Sequence, residues 1–249
     1  MAKKIIYTML LTGMLGIMMV PAAFAQDGLT VSTGVDFYNR YIWRGLDIAN
    51  TPSAQPSIAL GYNNFEFGIW GAYTLSNQSS ESDEIDFWLS YSHQFEQSLS
   101  FSLMVTDYYF PNAGIEFFNF NNYDAETNGV PDPGAHTLEA GVAITGPESF
   151  PITVSAFMNV YNDEGNNVYI QLDYPVMVGE TELGLFVGMT PGCDDNPDYY
   201  GTDEFKLINV GVQTSREITI SDSFSLPLNL GFIVNPNEEI SHLLVGTSF

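Results

Sequence analysis

The chain has 249 residues, with 6 basic side chains against 30 acidic ones and a formal charge of −24. That balance argues against nucleic acid as a partner, because binding it needs basic groups to neutralise phosphates. A hydrophobic share of 45% excludes a disordered acidic chain, and a lone Cys193 excludes an intramolecular disulfide.

Residues 1–25 begin with Lys3 and Lys4, continue through an apolar run from Ile5 to Val20, and end in Ala23-Phe24-Ala25. This is the grammar of a secretory signal peptide with cleavage after Ala25. The apolar core of about 16 residues falls short of the roughly 20 that span a bilayer as a helix. Cleavage leaves one domain over 26–249 with 4 basic and 30 acidic residues.

From Leu29 onward the sequence alternates with period two, the mark of strands. The first arm sets Leu29, Val31, Val35, Phe37, Tyr41 and Trp43 against Thr30, Ser32, Asp36, Arg40 and Arg44. A second, about 55–62, sets Ile58, Leu60 and Tyr62 against Gln55 and Ser57. Asn63-Asn64 turns it into a third, where Phe65, Phe67, Ile69 and Tyr73 oppose Glu66, Gly68 and Trp70. The fourth, about 84–94, opposes Ile85, Phe87 and Leu89 to Asp86 and Trp88; the fifth, about 98–110, opposes Leu103 and Val105 to Thr106 and Tyr108.

After a long segment, Pro111 to Gly134, that is read as a surface loop folding back on its own aromatics, the sixth arm places Glu139 opposite Leu138 and Ala140. The seventh places Phe157, Asn159 and Tyr161 opposite Val154, Met158 and Val160. Tyr169, Gln171 and Asp173 share the polar side of the eighth, and Gly184, Phe186 and Gly188 that of the ninth. In the tenth, Ile208, Val210 and Val212 oppose Leu207, Asn209 and Gln213. The eleventh and twelfth cover about 223–234 and 240–249 and end on Phe249.

Twelve arms of about 10 residues match the length a tilted strand needs to cross a membrane. Odd-numbered connections are mostly long and acidic (45–53, 76–83, 111–134, 162–166, 191–204 and 235–239), and the others are tight. An even number of strands with short turns at one end and long loops at the other predicts a closed, antiparallel, all-β up-and-down barrel in an outer membrane. One face of each arm is apolar nearly without charge. The other carries Gly, Ser, Gln and Asn, suited to a wet lumen rather than a dry core. Tyr41, Trp43, Tyr62, Phe65, Tyr73 and Phe95 fall toward arm ends, where an interface girdle would sit.

The opening hairpin carries a further signal. Asp36-Phe37-Tyr38-Asn39-Arg40-Tyr41-Ile42-Trp43-Arg44-Gly45, then Gln55-Pro56, then Gly68-Ile69-Trp70-Gly71, resembles the YxxRG, Q and GxWG start of the TorF-type porin family, exported proteins of Gram-negative bacteria. The resemblance, clearest over 35–75, implies an outer-membrane barrel more than any particular cargo. The terminal Phe249 likewise resembles the carboxy-terminal signal read by the barrel assembly machinery, and lipid with lipopolysaccharide would surround the barrel.

If the alternation holds, the lumen is lined by Asp36, Arg40, Gln55, Glu66, Trp70, Asp86, Trp88, Tyr108, Glu139, Asn159, Tyr169, Gln171, Asp173, Asn209 and Gln213. Arg40 stands out as counter-charge; in an extended strand it lies about 13 Å from Asp36, too far to pair directly. Inward acids favour cations and repel anions. The expectation is a passive diffusion channel for small cationic or neutral solutes; a specific small-molecule transporter with an aromatic lumen, or a structural or adhesive surface barrel, are the alternatives. No cofactor and no metal motif is expected, the acidic run at 194–198 lacking the closing Glu of a calcium hand. Enzymatic activity is not expected either: Ser92-His93 and Ser241-His242 are sequence neighbours, whose side chains point to opposite faces of a strand.

Overall fold

A computed structural model describes residues 28–76, 80–95, 99–222 and 224–249; the expected signal peptide lies outside them. In chain order the strands are β1 (Leu29–Tyr38), β2 (Tyr41–Trp43), β3 (Leu46–Ala49), β4 (Ser53–Tyr62), β5 (Phe65–Thr74), β6 (Glu84–Phe95), β7 (Leu99–Tyr109), β8 (Glu126–Thr127), β9 (Val130–Pro131), β10 (His136–Thr145), β11 (Thr153–Tyr161), β12 (Val168–Val178), β13 (Thr181–Thr190), β14 (Lys206–Ser221), β15 (Phe224–Asn235) and β16 (Ile240–Ser248). Twelve of them close into an antiparallel barrel, each paired with its sequence neighbours and β1 with β16; β2–β3 and β8–β9 are separate hairpins.

The barrel is inside out relative to a soluble protein. Every wall strand carries a large apolar side chain that is exposed, among them Leu60, Phe67, Leu89, Leu103, Phe232 and Leu243, the last at 61%. The polar side chains between them are buried instead: Asp36, Gln55, Asp86, Glu139 and Asn209 are all at 5% exposure or less. A continuous apolar belt of this size is unfavourable in water, and a lipid exterior satisfies it. Closure is required for the same reason, since an open strand edge in hydrocarbon would leave backbone groups unpaired. Tyr62, Phe65, Tyr73 and Phe95 are exposed on this outer face, as expected of a girdle.

The seam is short. β1 and β16 share Asp36↔Ser248, Phe37↔Thr247 and Tyr38↔Gly246, extended by reciprocal backbone bonds between Val35 and Phe249 at 3.1 and 3.0 Å. Above it Asn39 stands in for a strand residue. Its Nδ2 donates to the Leu243 carbonyl at 3.0 Å and its Oδ1 accepts from Val245 N at 2.9 Å.

That substitution frees the main chain to turn inward, which corrects the first arm. β1 stops at Tyr38, and residues 40–50 fold into the barrel mouth as the β2–β3 hairpin. Tyr41 and Trp43, at 1% and 8% exposure, are therefore core residues and not part of the girdle. Arg40 leaves the strand face it was expected to share with Asp36; it pairs with Asp47 at 2.8 Å.

Two bulges change parity elsewhere. Between β13 and β14 the register passes from Gly188↔Asn209 to Met189↔Leu207, so Ile208 is the extra residue; it is fully buried while Leu207 is exposed, the reverse of the expected order. Between β10 and β11 it passes from Glu139↔Asn159 to Leu138↔Tyr161, which puts Tyr161 beside the outward Leu138 rather than in the lumen. An inserted residue shifts every following side chain to the other face. The 111–134 segment does fold on its own aromatics, with Phe117 edge-on to Phe118 and Tyr109, and it covers the outward His136, whose ring stacks on Phe120 and whose Nδ1 lies 3.0 Å from Asp107.

Candidate functional site

The hairpin filling the barrel mouth turns at Arg44-Gly45, between the paired Trp43 and Leu46. Both turn residues are left-handed, at φ 50° and 83°, as a two-residue type I′ turn requires. Gly45 is needed twice, since a Cβ there would also lie 2.0 Å from the Ile208 carbonyl oxygen on β14. Arg44 is less expected: a side chain other than Gly, Asn or Asp at such a position costs about 1–2 kcal/mol. The hairpin accepts that strain where its guanidinium meets the far wall.

There Arg44 forms a fork with Glu139 of β10: Nη1 donates to Oε2 at 2.6 Å and Nη2 to Oε1 at 2.8 Å. Nη1 also donates to the Tyr200 hydroxyl at 2.8 Å, and Tyr108 of β7 donates to Glu139 Oε1 at 2.9 Å. The guanidinium lies over the rings of Trp43, Phe157 and Tyr169, at 4.5, 4.7 and 4.6 Å from their centroids. Arg44 and Glu139 are 6% and 2% exposed. Burial opposes the Arg44 charge, yet the Glu139 carboxylate with the Tyr200 and Tyr108 hydroxyls outweighs it and raises Arg44 well above the ordinary arginine range. This is a buried ion pair satisfied on both sides, the arrangement that holds in low dielectric.

A second inward segment completes the closure. Residues 191–205 bring Tyr199 and Tyr200 into the mouth, where Tyr200 stacks on Trp43 at 5.9 Å and Tyr199 meets the same ring edge-on at 6.1 Å. Burial raises the Tyr200 hydroxyl above its ordinary value, with Arg44 opposing; burial and then Tyr200 raise that of Tyr199. The Asp163 carboxylate accepts from Asn167 N at 2.7 Å and from Asn196 Nδ2 at 3.3 Å, tying the 162–167 turn to this segment. On the other side of the hairpin the Tyr41 hydroxyl donates to Glu84 Oε2 at 2.6 Å, and its ring packs on Trp70.

Below this plug the inner wall is polar. A ladder runs down it from Asn209, whose Nδ2 donates to the Tyr169 hydroxyl at 2.8 Å; Tyr169 donates to Gln171, and Gln171 Nε2 to Asp173 at 2.8 Å. Trp88 Nε1 donates to Glu66 at 3.3 Å. Inward rings lie flat on the wall, because glycines face them: a Cβ on Gly68 would fall 2.0 Å from Trp88, and one on Gly141 2.6 Å from Phe157. Toward the short-turn end inward Ser92 is exposed, and the exposed Gln94 and Glu217 lie on hairpin extensions past the paired wall. The interior is thus filled at the long-loop end, while toward the short-turn end exposed Ser92 lies among buried Ser90, Thr145, Thr153 and Ser155.

Of the residues expected to line the lumen, Asp36, Gln55, Asp86, Trp88, Tyr108, Glu139, Asn159, Tyr169, Gln171 and Asn209 are buried on the inner face, and Glu66, Trp70, Asp173 and Gln213 sit there partly exposed. Glu139, Tyr108 and Tyr169 meet around Arg44; Asp36 faces Gln55 and Ser248 across the sheet. The counter-charge to Glu139 is Arg44, not Arg40. Sequence reasoning missed Arg44, Glu84, Tyr199 and Tyr200. Arg44 was within reach, because a strongly acidic chain with only Arg40, Arg44, Lys206 and Arg216 after residue 25 has few cations to spare. The tyrosines gave no local signal. Among the described residues, no cluster of three or more His, Cys, Asp or Glu is arranged to hold a metal ion.

Among solved structures the chain is similar to an outer-membrane channel from Pseudomonas putida F1, at 13% identity and a TM-score of 0.48 over 90% of this chain and 95% of that one. It is also similar to Salmonella typhi OmpF in complex with daunomycin, at 7% identity and a TM-score of 0.42 over 91% and 99%. No curated protein matches it. A family profile matches residues 22–225, and on that match the chain belongs to the Gcw_chp family, described as bacterial proteins of unknown function.

Proposed function

We propose that this chain is an outer-membrane channel for small cationic or neutral solutes, held closed at its long-loop end by residues 40–50 and 191–205. The observation that carries this reading is the reversed polarity of the barrel: an apolar exterior around an inner face that carries carboxylates, amides and hydroxyls. Inward Glu66 and Asp173, which are partly exposed, raise the local cation concentration and repel anions. The resemblance of 36–71 to the start of TorF-type porins supports the same reading, and those residues make up the plug and the first wall strands. In this reading the leader is removed on export, the apolar belt meets lipid and lipopolysaccharide, and Phe249 is presented to the assembly machinery.

The polar ladder Asn209, Tyr169, Gln171 and Asp173 favours a second form of the proposal, a channel selective for one class of solute. The test is single-channel recording in planar bilayers, on the whole protein and on a variant whose residues 40–50 are replaced by a short Gly-Ser link. Rare openings that become frequent and cation-selective without the plug support the channel. Block by particular solutes supports the selective form. Silence of both proteins, with normal heat-modifiable barrels, refutes transport in favour of a structural or adhesive role.

A further inference from the structure

We propose that Glu139, Tyr108, Phe157 and Tyr169 form a receptor for guanidinium-bearing solutes, which Arg44 occupies in the closed state as a tethered competitor. The four groups lie on β7, β10, β11 and β12, successive strands of the wall, so the receptor belongs to the barrel and remains when the plug departs. The plug supplies the cation, together with the Trp43 ring and the Tyr200 hydroxyl that also touch it.

The geometry names the ligand. Two parallel N–H donors reach the two oxygens of one carboxylate, at 2.6 and 2.8 Å, which a planar fork achieves and a point-like ammonium does not. The Tyr108 hydroxyl fixes the carboxylate from behind, and the Phe157 and Tyr169 rings offer their faces at 4.7 and 4.6 Å. Glu139 is 2% exposed. A carboxylate so buried is costly without a cation, so a site vacated by Arg44 draws another into it. In the channel reading that cation enters from the short-turn end, past the partly exposed Glu66 and Asp173.

The occupant is also poised to leave. Arg44 reaches the receptor only from a left-handed position in a two-residue turn, where Asn or Gly is the usual choice. A free guanidinium makes the same contacts to Glu139, Phe157 and Tyr169 without that strain. Its binding would release the hairpin tip and open the mouth, a consequence that rests on the channel reading, although the binding itself does not.

The test uses purified whole protein with propylguanidinium, propylammonium and urea as probes, and Trp fluorescence as readout. Arg44→Ala should bind propylguanidinium at concentrations at least about tenfold below those needed for propylammonium, as expected if the fork contact is lost with an amine. Urea should have no effect, and Arg44→Ala/Glu139→Gln should bind neither cation. Arg44→Lys, which keeps the charge, should yield to propylguanidinium at lower concentration than wild type and serves as the reporter if Arg44→Ala gives no heat-modifiable barrel. Equal response to the two cations, binding that survives loss of Glu139, or an Arg44→Lys protein no more sensitive than wild type overturns the receptor. Binding as described with no current in bilayers leaves the receptor standing and refutes the channel instead.

Discussion

Replacing Glu139 by Leu should unlatch the plug, and the structure sets the size of the effect. The substitution removes both fork bonds to Arg44 and leaves a guanidinium that is 6% exposed with the Tyr200 hydroxyl as its remaining polar partner among those described above. Breaking one side of a buried ion pair costs about 3–5 kcal/mol. Contact with the Trp43, Phe157 and Tyr169 rings is common to both proteins and cancels in the difference. The loss, about 3–5 kcal/mol, multiplies the ratio of open to closed plug by roughly 150- to 5000-fold. Open probability in bilayers reads that ratio directly, and protease cleavage within residues 40–50 reads it without current. Arg44→Leu/Glu139→Leu removes both charges and should recover most of the closure, because a buried pair replaced by apolar groups is often neutral. A single variant as closed as wild type, or a double variant as open as Glu139→Leu, refutes the latch.

Gly45→Ala should undock the hairpin tip, since it adds both left-handed strain and a Cβ 2.0 Å from the Ile208 carbonyl; a blue-to-red shift of Trp43 emission checks it. Gly68→Val should push the Trp88 ring off the wall and lower the conductance of the plug-less variant, with no change in its assembly. Asn39→Ala removes two seam hydrogen bonds, each worth about 1 kcal/mol, and should lower the temperature at which the folded band is lost in heat-modifiability gels. The plug should also respond to alkali. The Tyr199 and Tyr200 hydroxyls are raised above their ordinary value of 10.0, so the neutral form is favoured in the folded state. Their contribution is therefore fully present below about pH 10 and is lost as pH rises through the raised values. Open probability should be flat from neutrality to about pH 10 and climb beyond it, in step with tyrosinate absorbance.

The barrel was legible because wall residues away from the two bulges obey a local rule. In a strand that separates lipid from water, the solvent on each side dictates alternate residues, so the alternation is visible wherever it runs, as in Ile58, Leu60 and Tyr62 against Gln55 and Ser57. Tyr41 and Trp43 obeyed the same parity and misled for that reason. Period two does not say whether the apolar face meets lipid or the inside of a neighbouring plug. What decides it is Asn39, whose side chain takes over the edge of a strand more than 200 residues later and lets the main chain depart.

Strand order, the number of arms, the inward set of carboxylates and the apolar belt all follow from the sequence by itself, through the one constraint that a membrane-crossing sheet must close with a single solvent on each face. The tertiary structure alone decided which segments enter the mouth, and that Arg44 meets Glu139 across 95 positions of sequence. It also decided that one extra residue turns Ile208 inward and Tyr161 outward. Those outcomes depend on which distant wall a loop happens to face, and on where a ladder skips a residue, and neither quantity is written in the period of the residues concerned.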